Sequence, residues 1–340
     1  MTQAPPRPAR RPPEAWALRQ PFGPRTVAIA LIATVLLAAS ARHTQIDRMA
    51  WLSVEYVEHL VGLRAESEVA RGVDRFVSTA FPFVLAEEEP VARIEHFDPQ
   101  HLPFGAHLAT REKSTSTYDY ALQKMVTHIE TEQVLVRPFG YLALVLEKMV
   151  ETLEIAVWGT LLAVVWGAPL AFFGTRRYSP HVILYAASRG ISAFLRAIPE
   201  LVSVLILVLA YGFGPGTAAL ALGLHSTGFL GKFYADDVEN ADPGPQEALA
   251  SVGANGVKVL WFGAIPQVLP QYIAYTQYIL ERNVRMATVV GVVGAGGIGV
   301  ELKGRFDTFD FGHVSTILAV ILVTILALER ASQWVRSKLL

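Results

Sequence analysis

The sequence has no cysteine, which excludes disulfides, thiolate metal sites and a cysteine nucleophile. Charge is scarce, at 17% of 340 residues. There is no G-x-x-x-x-G-K-[ST] loop, so the chain does not bind ATP by that route. The glycine run Gly294-Ala295-Gly296-Gly297-Ile298-Gly299 lacks the strand, Lys and Ser/Thr of a phosphate loop, and close helix packing is the expectation there. Also missing is a nucleophile paired with a base, or a metal cluster, inside an apolar run. An intramembrane enzyme would need one, and Glu200 and His225 come nearest, so that class stays a distant alternative. What is plentiful is apolar side chain: 52% of residues are hydrophobic and gather into long runs. An integral membrane protein follows.

A net charge of −1 conceals strong segregation. Residues 1–25 hold five arginines and one glutamate, a basic arm expected to stay in the cytosol. Residues 26–42 are the first apolar run, expected to be an uncleaved span. Its end, Ala38-Ala39-Ser40-Ala41, also resembles a signal-peptidase site, and cleavage there would leave five spans instead of six. Residues 43–140 carry nine Lys/Arg against fifteen Asp/Glu and form an extracytoplasmic insertion by this topology. Helical spacing of Leu52, Tyr56, Leu60 and Leu63 predicts helix within 46–80, where Arg64 and Glu68 are placed to pair. Glu87-Glu88-Glu89 reads as a solvated charge run. Six of nine histidines fall in the insertion, among them His96, His101 and His107, but their spacing matches no metal-ligand pattern. The insertion reads equally as a docking platform or as a packed, lid-like addition.

The remainder, 141–340, supplies five further helical regions. The second span ends near Gly174, with Gly159 and Gly167 allowing close helix contact. The third region, His181 to Tyr211, is longer than one span needs, and Pro199 should kink or break it. The fourth span carries His225, Ser226 and Thr227 at mid-depth. The fifth, from Pro266 to Gly294, is too long for one straight span and is expected to break. The sixth covers about His313–Leu328, with Arg330, Arg336 and Lys338 beyond it, which puts the C-terminus in the cytosol as well. Charged and polar groups at membrane depth are pathway candidates: Arg196, Glu200, His225, Ser226, Thr227, Arg282 and Arg285. The plainer alternatives are an Arg196–Glu200 pair, a Glu281–Arg285 pair, and a core His225 bonded to backbone.

Between the fourth and fifth spans stands Glu247-Ala248-Leu249-Ala250-Ser251-Val252-Gly253, followed by Ala264-Ile265-Pro266. Asp242 or Gly244 can cap a helix start there, Pro245 suits its first turn, and Glu247 in that turn favours the dipole. Gly253 is placed to end the helix left-handed, and Pro266 opens the next helix. Ala248, Ala250 and Ser251 leave a low surface for close approach. This stretch resembles the coupling loop of binding-protein-dependent ABC importer permeases, which reads Glu-Ala-Ala, three residues, Gly, nine residues, Ile, one residue, Leu-Pro. Glu247, Ala248, Gly253 and Pro266 fall at those spacings; Leu249, Gly263 and Ile265 replace the second Ala, the Ile and the Leu. Further phrases resemble the phosphonate/phosphite branch: 154–160, 196–198, 224–228 and 293–302.

The resemblance covers roughly Met149–Leu340. It implies an all-α integral membrane protein of the type I, methionine-permease-like fold, with about six transmembrane helices and a large extracytoplasmic insertion. A cytosolic coupling helix at 243–257 would present Glu247, Ala248, Ala250, Ser251, Gly253 and Pro266 to an ATPase. The implied partners are a second copy of the chain, an ABC ATPase dimer in the cytosol, an extracytoplasmic phosphonate-type binding protein and the lipid bilayer, with no nucleic acid. The chain itself would bind no cofactor; ATP and Mg are used by the ATPase. The implied place is the bacterial inner membrane, multi-pass, with both termini cytosolic. The implied solute is phosphonate, phosphite or a related phosphorus oxyanion; methionine or another small polar solute is the alternative within the architecture.

Overall fold

The structure, a computed structural model, describes residues 23–81, 83–95, 97–99, 101–103, 105–119 and 123–339. Most of the basic arm, and His96, lie outside the described residues. The chain divides into two units after Ser78.

The first unit holds α1 (Pro24–His43), α2 (Ile46–Leu60) and most of α3 (Glu68–Ala80). Helix α1 is uniformly apolar and has no buried residue, as a helix meant for lipid would. The predicted helix over 46–80 is two helices. Gly62, at φ +79°, ends the first in a left-handed turn. That break also defeats the expected Arg64–Glu68 pair, because spacing by four means adjacency only within one helix. Arg64 turns back instead to Glu55 and Glu58, at 3.6 and 3.8 Å.

In the second unit the insertion departs from an all-helical reading. It contains a three-stranded antiparallel sheet, β1 (Glu87–Pro90), β2 (His107–Asp119) and β3 (Lys124–Arg137), in the order β1-β3-β2. The three glutamates are therefore not a free charge run but strand β1, with Glu87 opposite Arg137. Glu87 and Glu89 reach Arg137 at 3.6 and 3.4 Å, and Glu88 reaches Arg111 at 3.1 Å. Period-two alternation sends neighbouring acids to opposite faces.

The helical core follows: α4 (Gly140–Phe173), α5 (Val182–Ala197), α6 (Glu200–Tyr211), α7 (Pro215–Asn240), α8 (Pro243–Ser251), α9 (Gly256–Val259), α10 (Ile265–Gly291), α11 (Ile298–Asp307) and α12 (Phe311–Leu339). By length and composition α1, α4 and α12 can each cross a membrane, and α5 with α6, bent by 94° between them, is long and apolar enough only as a pair. Pro199 stands at that bend, as expected. Helices α7 and α10, of 26 and 27 residues, are long enough too. Several of their mid-helix polar residues, His225, Ser226, Thr227 and Asn283, are buried against neighbouring helices. The expected break within the fifth region does not occur. Helix α10 runs unbroken for about 40 Å, with Pro270 near its start, and the chain turns only at 292–297.

Helix α7 is the hub, packing on α4, α5, α6 and α10. Its contact with α4 is set by glycine: a Cβ on Gly159 would stand 3.1 Å from Leu222 Cβ, and one on Gly167 would stand 3.2 Å from Leu230 Cβ. Small residues let the two backbones close, which replaces hydrophobic driving force where lipid is the solvent.

The sheet is fastened to one end of this bundle. Thr316 Oγ1 donates to the Val84 carbonyl (2.7 Å), and the Leu142 N–H donates to the Leu85 carbonyl (3.2 Å). Nearby, Asp310 accepts from His313 Nδ1 at 2.7 Å and faces Arg305 at 3.3 Å. Burial alone would raise the Asp310 carboxyl, but the hydrogen bond and charge of His313, with the charge of Arg305, hold it below its ordinary value. A depressed carboxyl contributes stability above its unfolded pKa of about 3.9, and that contribution is lost as pH falls through the lower folded value. Asp310→Asn is therefore expected to speed amide exchange at 84–93 at neutral pH. The difference from wild type should close as the medium is taken below about pH 4, which exchange mass spectrometry would read.

Candidate solute pathway and coupling helix

Pro199 breaks the α5–α6 rod and so strips backbone groups of their partners. Ile198, extended at the break, offers its carbonyl to His225 Nδ1 at 3.0 Å, so that nitrogen carries the proton. Glu200 opens α6 and turns inward. Its Oε1 accepts from Arg282 Nη2 in a tight ion pair, and His225 Nε2 lies 3.2 Å from the same oxygen. The centre of α7, the break and the middle of α10 thus bring Glu200, His225 and Arg282 together. Phe229 forms the wall: the Arg282 guanidinium lies 4.9 Å and that of Arg196 5.6 Å from its ring centre. Arg196 also donates from Nε to the Ser192 carbonyl at 3.1 Å, which leaves its other N–H groups uncommitted to that bond.

The Arg196–Glu200 pair does not form, because the bend at Pro199 destroys the four-residue adjacency. Nor does Glu281–Arg285: Glu281 reaches across to Arg336 of α12 at 3.7 Å. Arg285 is exposed. Ser226 and Thr227 are fully buried and their hydroxyls are used internally. Ser226 Oγ donates to Asn283 Oδ1 (3.0 Å), whose amide donates to Thr160 Oγ1 (3.0 Å), stitching α7, α10 and α4 together. Thr227 bonds back to the Gly223 carbonyl (2.7 Å). So four of the seven predicted residues gather about Phe229; Ser226 and Thr227 pack, and Arg285 stands apart. Asn283 was missed, although a carboxamide beside Arg282 in mid-helix is a visible signal.

At the far end of α7 the helix predicted over 243–257 forms but is shorter, α8 ending at Ser251. Asp242 caps it, its Oδ1 accepting from the Gly244 N–H at 2.9 Å, and Pro243 takes the first turn. Glu247 therefore lies in the second turn, beyond the dipole contact expected for it. Gly253, at φ +84°, ends the helix as predicted. Glu247, Ala248, Ala250 and Ser251 are exposed, while Gln246 is buried and holds the helix down. Gln246 accepts from the Tyr178 hydroxyl (2.8 Å) and donates to the Asp242 carbonyl (3.1 Å). Gln267 of α10 exchanges two bonds with the Asp242 backbone, at 3.0 and 3.2 Å. A Cβ on Gly263 would lie 3.2 Å from Gln246 Cα, so the glycine that departs from the motif is what lets α8 sit close. Between α9 and α10, Leu260–Ala264 form a π-helical turn. Arg189 braces the same end, bonding the Gly174 carbonyl (2.7 Å), Glu239 (2.9 Å) and Asp236.

Residues 159–338 match the family described as "Binding-protein-dependent transport system inner membrane component". The chain belongs to that family. The permease is 50% identical over 260 residues to the "Putative phosphite transport system permease protein HtxE" of Stutzerimonas stutzeri, covering 76% of this chain and all of that one. It is 40% identical over 187 residues to the phosphite transport system permease protein PtxC of the same organism, covering 55% and 68%. The inward-facing MetNI methionine ABC transporter matches with a TM-score of 0.51 and 18% identity, over 58% of this chain and 97% of that one. At that identity the likeness is one of fold. The permease is thus a multi-pass inner-membrane transport subunit and not an enzyme; it works with a separate ATPase and a binding protein.

Proposed function

We propose that the permease conducts a phosphorus oxyanion, phosphite or phosphonate or a phosphate ester, received from a phosphonate-type binding protein outside the cell. The observation that carries this reading is the 50% identity extending over the whole of HtxE, a relative named for phosphite transport. Arg282 and Arg196 about Phe229 add a chemical reason, since guanidinium N–H groups suit tetrahedral oxyanions. Glu200 already neutralises Arg282, so a passing anion would exchange with a carboxylate instead of meeting a bare cation that traps it.

Two copies of the chain form the pathway, with both termini in the cytosol, and the ATPase dimer, using ATP and Mg, grips the exposed face of α8. Gln246 and Gln267 pass its movement to α4, α7 and α10, a rigid-body change of packed helices. The test is ATP hydrolysis by the reconstituted complex with its binding protein. Phosphite and phosphonates should stimulate it and methionine should not. Stimulation by methionine alone would overturn the proposal.

A further inference from the structure

A groove of about 510 Å³ opens on α4, α7 and α10 beside the π-helical turn, walled by Val164, Phe172, Tyr234, Trp261, Leu269 and Tyr272. That volume suits a ligand, and the wall decides which kind. Its hydroxyls are already committed: Tyr234 to Thr276 (2.6 Å), Tyr272 to the Tyr234 carbonyl (2.6 Å), and Tyr178 to Gln246 (2.8 Å). The Gln277 carboxamide, whose buried Oε1 has no hydrogen-bond partner among the described residues, is the polar group left open; most of the remaining wall is apolar, so the occupant is apolar along most of the groove. A second cavity, of about 420 Å³, shares Val238 with the first and is lined by Arg176 and Arg177. Its carboxylate, Glu239, is taken by the Arg176 N–H (2.8 Å) and by Arg189 (2.9 Å). Among the described residues neither the Arg176 nor the Arg177 guanidinium has an ion pair. A largely apolar trough, adjoining at Val238 a cavity lined by two cations without ion pairs, is complementary to a molecule with a long apolar tail and an anionic phosphate head.

We infer that this face is a binding site for an anionic phospholipid, its acyl chain along Trp261 and its headgroup at Arg176 and Arg177. The site adjoins Gln246 and the π-helical turn, so an occupant there presses on the joint through which α8 moves. Two cations near the membrane surface favour an anionic over a zwitterionic headgroup by about 30-fold.

The test uses the full chain in phosphatidylcholine vesicles doped with phosphatidylglycerol or phosphatidylcholine brominated on the acyl chains. Quenching specific to Trp261 is taken as wild type minus Trp261→Phe. Brominated phosphatidylglycerol should quench at about 30-fold lower mole fraction than brominated phosphatidylcholine. Arg176→Gln/Arg177→Gln should abolish that preference. In the unaltered protein about 1 M salt should do the same, because screening then acts within about 3 Å. Equal quenching by the two lipids would overturn the inference. So would no quenching by either, the result if a second copy of the chain seals the groove.

Discussion

Arg282→Leu is expected to abolish solute-stimulated uptake and to destabilise the bundle by about 3–5 kcal/mol, the usual consequence of leaving a buried charge without its partner. Glu200 would be that orphan, mostly buried at the start of α6 with only His225 nearby. Glu200→Leu alone should be similarly damaging, since it strands Arg282 against Phe229. The double variant Arg282→Leu/Glu200→Leu separates the two roles. Replacing both partners by apolar groups is often neutral, so its thermal unfolding in detergent should return close to wild type. Uptake should not return, because Arg196 alone then remains to receive the anion. Recovery of uptake in the double variant would make the pair a structural tie and remove it from the pathway.

The second large effect is expected at the joint beneath α8. Gln246→Leu removes an acceptor from the half-buried Tyr178 hydroxyl and a donor from the Asp242 carbonyl; a hydrogen bond of this kind contributes about 0.5–1.5 kcal/mol. Gly263→Val drives a branched side chain into Gln246 Cα and Leu249 Cδ1, both 3.2 Å from the first added carbon, and overpacking of this kind costs about 1–3 kcal/mol. Both changes loosen or displace α8 while leaving its exposed face, Glu247, Ala248, Ala250 and Ser251, chemically intact. The expected phenotype is uncoupling: the reconstituted complex keeps ATP hydrolysis near its basal rate and loses uptake by about tenfold, which is 1.4 kcal/mol of coupling. Parallel measurement of phosphate release and solute accumulation reads it. Unchanged uptake in both variants would mean that α8 transmits no force through Gln246.

Much of this arrangement was legible because local chemistry dictates it. Pro199 can break a helix wherever it falls, and Gly253 can turn left-handed without help from the rest of the fold. The glycines of α4 announced a close neighbour. What could not be read were partners supplied by other elements. Three pairs inferred from four-residue spacing, Arg64–Glu68, Arg196–Glu200 and Glu281–Arg285, are all replaced. Two are interrupted by breaks, and Glu281 finds Arg336 on a helix some fifty residues away. The sheet escaped for another reason. Strands β2 and β3 expose residues such as Leu108 and Ile129 and carry polar residues along much of their length, so the apolar alternation that betrays a half-buried strand is absent. Gln246 escaped because the motif begins one residue after it.

The turn at Leu260–Ala264 holds one residue more than an ordinary helical turn. Because the wide turn absorbs that residue, removing it would restore regular winding while the segments on either side keep nearly the same facing. The joint between motor-facing surface and membrane helix can thus be tightened in a single-residue step. A lineage could stiffen its ATPase contact by one codon's loss, without redesigning the bundle above it.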